Sequence, residues 1–408
     1  MKNSLQRLIA AHRCTLMACI LAFSLLGCKK DPPPSSFDGN KTFNAPPVIS
    51  GVLPAGGALA GVSIVTINGQ NFSTVAGNIQ VFFDTMQATI ISNSVTQLVV
   101  RAPNVVRDSV QIKVSVLGAE QYSNVFVYKL QAAVSEFGGI PNTVEEPSGI
   151  TCDASGNVYV ALANATGIAI GFKKFTPSGV RSDFASQDGV PIWSGLKIGP
   201  GGELYGARNI RAVYKIPQGG VPRRWTIVSE AVYDFDFDSL RNIWAAGAGA
   251  SIYRIKQDST YISFPYPGDF KAVRVFRGYL YLGGKKTGDP NEQIVRAQIL
   301  SSDNLGPWEQ YYNLRNFDTT AHVNSLTFAA DGDAYVGTDS SAGSIIVVHP
   351  DRTAEKLYPG LFKGKHVSFG FGVGSEMYIS QTSATGASAL KKILRVNMQK
   401  QSASYYGR

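Results

Sequence analysis

The chain has 408 residues, 44% of them hydrophobic and only 16% charged, with 42 glycines, 18 tyrosines, 21 phenylalanines and a formal charge of +9. That length admits two folded domains and a tail, and the composition excludes a disordered chain. The positive charge is thinly spread and no run of Lys and Arg is interleaved with stacking aromatics, so a nucleic-acid partner is not expected.

Residues 1–27 read as a signal peptide. Lys2, Arg7 and Arg13 precede an apolar run, CTLMACILAFSLLG at 14–27, that is too short to span a bilayer. Losing those three basic residues leaves a mature charge of about +6. Leu25-Leu26-Gly27-Cys28 resembles the bacterial lipobox. The resemblance implies that Cys28 is lipidated, palmitate among its acyl chains, and that the membrane is a partner through this anchor. Two or three chains hold firmly where one binds only marginally. Residues 28–45, with the run KKDPPPSS, cannot form a core and read as a flexible tether. This start resembles lipoproteins of the Bacteroidetes type, which implies the outer membrane or the cell surface.

Residues 46–130 read as a small β-sandwich. Short alternating strands at 63–67, 79–83, 87–91, 97–101, 110–116 and 125–128 are separated by turns every 8–12 residues. The Pro54, Gly57, Gly61 rhythm, the INGQNF motif at 67–72, Pro103 and the closing Phe126-Val127-Tyr128 resemble the IPT/TIG family of immunoglobulin-like domains. Asn68-Gly69 is expected to supply a positive-φ turn and Phe72 to plug the core. The resemblance implies a spacer or binding module.

Residues 131–408 carry a repeat. GITCDASGNVYV at 149–160 reads as strand, tight turn and strand, and degenerate versions follow. Their inner-strand anchors are Ile150, Leu196, Phe235, Val273, Leu326 and Phe369, 38 to 53 residues apart, the scale of a four-stranded blade. The chain is therefore expected to be all-β, a sandwich followed by a six-bladed β-propeller. The segment PSGITCDASGNVYV resembles the NHL-type repeat, and the six-bladed plan is shared with TolB-like and gluconolactonase-like propellers. Either 133–137 or 402–406 is expected to supply the strand that closes the ring. Cys152, the lone cysteine beyond the leader, reads as a small buried core residue.

Residues preceding the inner strands are expected to line one mouth of the central channel. Candidate ligand-binding residues are Glu145, Trp193, His322, Asn324 and His366, with Glu146, Asp234 and Asp236 nearby, and Tyr266 from the aromatic run FPYPGDF at 264–270, read as a loop with Trp308, Tyr311 and Tyr312. Two imidazoles and a carboxylate suit a divalent metal, and the metal-dependent lactonases resemble this chain at Glu145-Glu146-Pro147 and Asn324-Ser325-Leu326. The ligand Asp implied before the sixth inner strand falls on Val367, so the set is incomplete and no metal, cofactor or catalytic residue is expected. The spacing of Asp153, Ser155 and Asn157 reads as a hairpin turn rather than a calcium loop. There is no G-x-S-x-G elbow, phosphate loop or dinucleotide fingerprint. The expectation is a non-catalytic binding module for an extracellular glycan or a partner protein, accessory to glycan uptake, with oligomeric state open. The alternative is a lactonase-like or lyase enzyme acting at the channel mouth.

Overall fold

The computed structural model describes residues 42–141, 143–340, 345–383 and 390–407; the signal peptide, Cys28 and most of the tether lie outside them. Strands account for almost all regular structure, with three short 3-10 turns. No helix among the described residues is long and apolar enough to cross a membrane.

The first body is a sandwich of two sheets. Val48–Leu53, Ile64–Gln70, Gln97–Arg101 and Thr89–Asn93 form one; Ala58–Leu59, Phe126–Gln131, Arg107–Val116, Ile79–Phe83 and Met86–Gln87 form the other. Alternate residues of these strands turn inward, so Val65, Ile67, Val81, Phe83, Leu98, Val100, Ile112 and Val114 make a shared core closed to water. Each such side chain contributes about 1.5–3 kcal/mol on burial. Phe72 joins this core as expected. The Asn68-Gly69 expectation fails. Both residues continue a strand, and Gly69 is needed because a Cβ there would collide with the Val48 carbonyl oxygen and the Phe72 ring. The positive φ falls on Asn71 (61°).

From Val134 onward the chain forms four four-stranded sheets and one eight-stranded sheet, and the eight-stranded sheet divides at Tyr261–Phe276 into two blade units. The inner strands, Glu145–Cys152, Gly195–Ile198, Asp234–Phe237, the second half of Tyr261–Phe276, Val323–Phe328 and Lys365–Phe371, each pack on the next, and the sixth packs on the first, closing a ring. They hold all six anchors. Unlike the sandwich strands they are buried on both faces, which is why they read as nearly continuous apolar runs. Blades 3 and 4 share a strand: Tyr261–Phe276 pairs outward with Ala248–Ile255 and then continues as the inner strand of blade 4. The 264–270 run is therefore strand, not loop, because its residues pair with both neighbouring strands.

Both candidate closing segments are used, in different ways. Val134–Glu136 pairs with Lys392–Asn397 and supplies the outer strand of blade 6. The C-terminal segment crosses the end of the channel where the inner strands finish. Ala330 N–H donates to Gln401 O (2.8 Å), Ala403 N–H donates to Phe328 O (3.1 Å), and the Tyr405 hydroxyl donates to Ile198 O (2.6 Å). Blades 5 and 2 lie opposite each other in the ring, so the tail is a strap across its diameter.

In blades 1 and 3 the turn after the inner strand keeps one carboxylate beside an aromatic ring. Asp153 accepts from the backbone N–H of Ser155 and Asn157, the Asn157 amide and the Tyr159 hydroxyl, at 2.7–3.0 Å. This is a hairpin clamp that engages both Asp153 carboxylate oxygens. Asp238 repeats it with Leu240, Asn242 and the Trp244 indole (3.0 Å), and is itself buried. Asp238→Ala would strand the indole N–H inside the protein. It is expected to cost about 2–3 kcal/mol, read as a lower urea midpoint; an unchanged midpoint would refute the clamp.

Candidate functional site

The ring's open end, where the inner strands begin, holds a cavity of about 380 Å³. All six blades line it, and they do so in register. The residue two before each anchor is in the lining: Ser148, Ser194, Tyr233, Lys271, Asn324 and Val367. In blades 1, 4, 5 and 6 the strand pairing slips at this point, between Pro147 and Ile150, Phe270 and Ala272, Val323 and Ser325, and His366 and Ser368. A β-bulge releases a residue from the ladder and re-aims its side chain. Ser148, Lys271, Asn324 and Val367 are the released residues.

The two halves of the mouth differ in chemistry. Blades 1 and 2 contribute Pro147, Ala163, Pro191 and Ile192, with Ile192 65% exposed. The Ser148 and Ser194 hydroxyls there are spent on the fold, donating to Ala161 O and Ala207 O. Blades 3 to 6 contribute Tyr233, Lys271, Asn324 and Lys365. Lys271 Nζ lies 3.7 Å over the Tyr233 ring and 2.7 Å from Asp269. Burial works against its charge, but the Asp269 carboxylate and the Tyr233 hydroxyl outweigh that and hold its pKa above the usual lysine value. Glu146, the one lining carboxylate, is held by Lys391 at 2.6 Å.

Below the cavity the channel wall carries a buried ion network. Asp234 accepts from Lys197 (3.1 Å), Arg274 (3.1 Å) and the Val273 N–H (3.0 Å), while Asp236 accepts from the Val275 N–H (2.9 Å). Burial lowers the Lys197 pKa and raises that of Asp236. At the far end a small void of about 60 Å³ is bounded by the strap residues Ser402–Tyr405.

Of the residues singled out from sequence, Glu146, Trp193 and Asn324 border the cavity, whereas Glu145, Asp234, Asp236, Tyr266, His322 and His366 do not. Trp193 is fully buried, edge-on to Phe172 (5.0 Å) and Tyr214 (5.3 Å), so its ring is core. Both Glu145 oxygens accept from Arg181, at 2.7 and 3.0 Å. His322 is exposed beside Asp339, 3.1 Å away. Tyr266 is stacked on Trp308 (4.2 Å) and Phe270 (5.6 Å) between blades. His366 is completely buried against Phe362 and opposite Gln381, whose side chain favours the charged imidazole but does not outweigh burial. Burial pushes its pKa down to about 4. The lactonase-type ligand set does not assemble, because Glu145 is spent on Arg181 and Val367 has no donor atom. Among the described residues no group of three or more His, Cys, Asp or Glu could hold a metal ion. Sequence reasoning missed Tyr233, Lys271 and Lys365. The signal for Tyr233 and Lys271 was the repeat itself, counted two residues back from each anchor; Lys365 lies four back from Phe369.

Residues 47–128 match the IPT/TIG domain. No curated protein matches the chain. Two solved structures from Bacteroides thetaiotaomicron are similar in fold to this chain. One is a structural genomics protein of unknown function and the other an auxiliary nutrient binding protein. Each is 13% identical, with a TM-score of 0.50 over 88% of this chain; the match covers 99% of the first chain and 98% of the second. A calcium-binding protein, regucalcin, from Agrobacterium tumefaciens is similar over 64% of this chain and 92% of its own, at 14% identity and a TM-score of 0.49. At such identities the likeness speaks for the fold alone.

Proposed function

We propose that this protein is a cell-envelope lipoprotein, anchored through Cys28, that binds an extracellular glycan at the propeller mouth without turning it over. The observation that carries the reading is the in-register ring: six blades place one side chain each around a single cavity that mixes apolar surface (Pro147, Pro191, Ile192, Val367) with polar groups (Tyr233, Lys271, Asn324, Lys365). Such a cavity suits a sugar, whose ring has an apolar face and a hydroxyl edge. The lining offers no paired acid and base for hydrolysis, since its one carboxylate is neutralised by Lys391. The lipobox-like Leu25–Cys28 segment supports the anchor. The fold shared with an auxiliary nutrient binding protein accords with a binding role.

A glycan array probed with the full chain tests this. Binding is expected, with affinity falling at least tenfold in Tyr233→Ala and Asn324→Ala while the melting temperature stays within a degree or two. Release of shortened sugar during incubation, or binding untouched by both substitutions, would overturn the reading.

A further inference from the structure

We infer that the ligand of this cavity carries a carboxylate, as a uronate-bearing glycan does, received by Lys365 and Asn324 with Lys271 on the far side of Asn324. This rests on the cavity being a glycan site and names the class of glycan.

The argument is one of charge and placement. Lys271, Asn324 and Lys365 come from three successive blades, 4, 5 and 6, so they form one arc of the rim. Lys271 has Asp269 and Glu146 has Lys391. Among the described residues no ion pair involves Lys365, although it lines the cavity. The chain at 341–344 and 384–389, outside the described residues, contains no Asp or Glu to neutralise it. Among the lining residues two lysines, Lys271 and Lys365, face one carboxylate, Glu146, and leave one positive charge. An ammonium group in a concave, partly desolvated wall attracts an anion more strongly than one on open surface. A single excess charge suits a singly charged carboxylate better than a dianionic phosphate. An amide beside an ammonium offers a carboxylate one donor for each oxygen. The opposite arc, with Pro147, Pro191 and the exposed Ile192, is left to pack the apolar face of the same sugar ring.

The test is calorimetry on the full chain with three probes: a galacturonate oligosaccharide, its neutral galactose counterpart and inorganic phosphate. The uronate is expected to bind at least tenfold more tightly than the neutral sugar and to weaken as salt rises. Lys365→Gln is expected to abolish that preference, while Lys365→Arg, which keeps the charge, retains most of it. Equal binding of acidic and neutral sugars would overturn the carboxylate inference and leave the glycan reading standing. Tighter binding of phosphate, or an undiminished preference in Lys365→Gln, would also overturn it. Binding of neither sugar would end both readings.

Discussion

Truncation after Lys400 is expected to destabilise the propeller by about 2–4 kcal/mol, because it uncovers aromatic side chains that no other element shields. The strap lies over Phe328, Phe369 and Phe371 at the channel's end, and Tyr405 and Tyr406 pack into the clusters of blades 2 to 4. Its hydrogen bonds tie blade 5 to blade 2 across the ring, so cutting it also removes a cross-brace that blade-to-blade packing cannot replace. Thermal unfolding of the full and truncated chains measures the effect. Tyr405→Phe, which deletes only the bond to Ile198 O, should cost about 1 kcal/mol. Coincident melting curves for the full and truncated chains would show the strap to be an ornament.

The second large effect is acid lability centred on His366. Its imidazole sits neutral in the folded protein with a pKa near 4, whereas in the unfolded chain it takes a proton below about 6.5. The unfolded state then binds more protons as pH falls, so stability drops through the window from about 6.5 to about 4 and levels off once the folded form is protonated as well. The loss approaches about 1.4 kcal/mol per pH unit, or roughly 3 kcal/mol across the window. Carboxylates held low by their partners, such as Asp183 beside Lys173 and Asp318 beside Thr320 and Ser340, lose their contribution mainly at still lower pH. Urea midpoints at pH 7.5, 6 and 5 should fall steadily for the native chain and stay nearly flat for His366→Leu. The same slope in both would clear His366 of the effect.

The fold was legible because its signals are local and repeated. An apolar anchor, a turn and an aromatic recur six times, and IPT/TIG turn chemistry sits at fixed offsets in the sandwich. What one sequence could not separate was chemistry from packing at a given position. His366, Trp193 and Tyr266 are all residues that bind ligands in other settings, and here each is enclosed. His366 stands one position from Val367, and that single step along a strand turns a side chain from the channel into the body of a blade. Lys271 was hidden for a different reason. It lies just past an aromatic run that reads as loop, and only the shared strand of blades 3 and 4 carries it to the rim. The Asp153 clamp, by contrast, was legible as a hairpin turn, because its spacing matched backbone geometry rather than an ion; the Asp238 clamp was not read from sequence.

The strap also sets what kind of object can be held. With the far end stopped, nothing threads through the ring; whatever enters at the rim must back out the same way. A polymer bound as proposed would reach the cavity from the rim alone, by a terminus, a branch or a stretch lying across it, and would not pass through the ring.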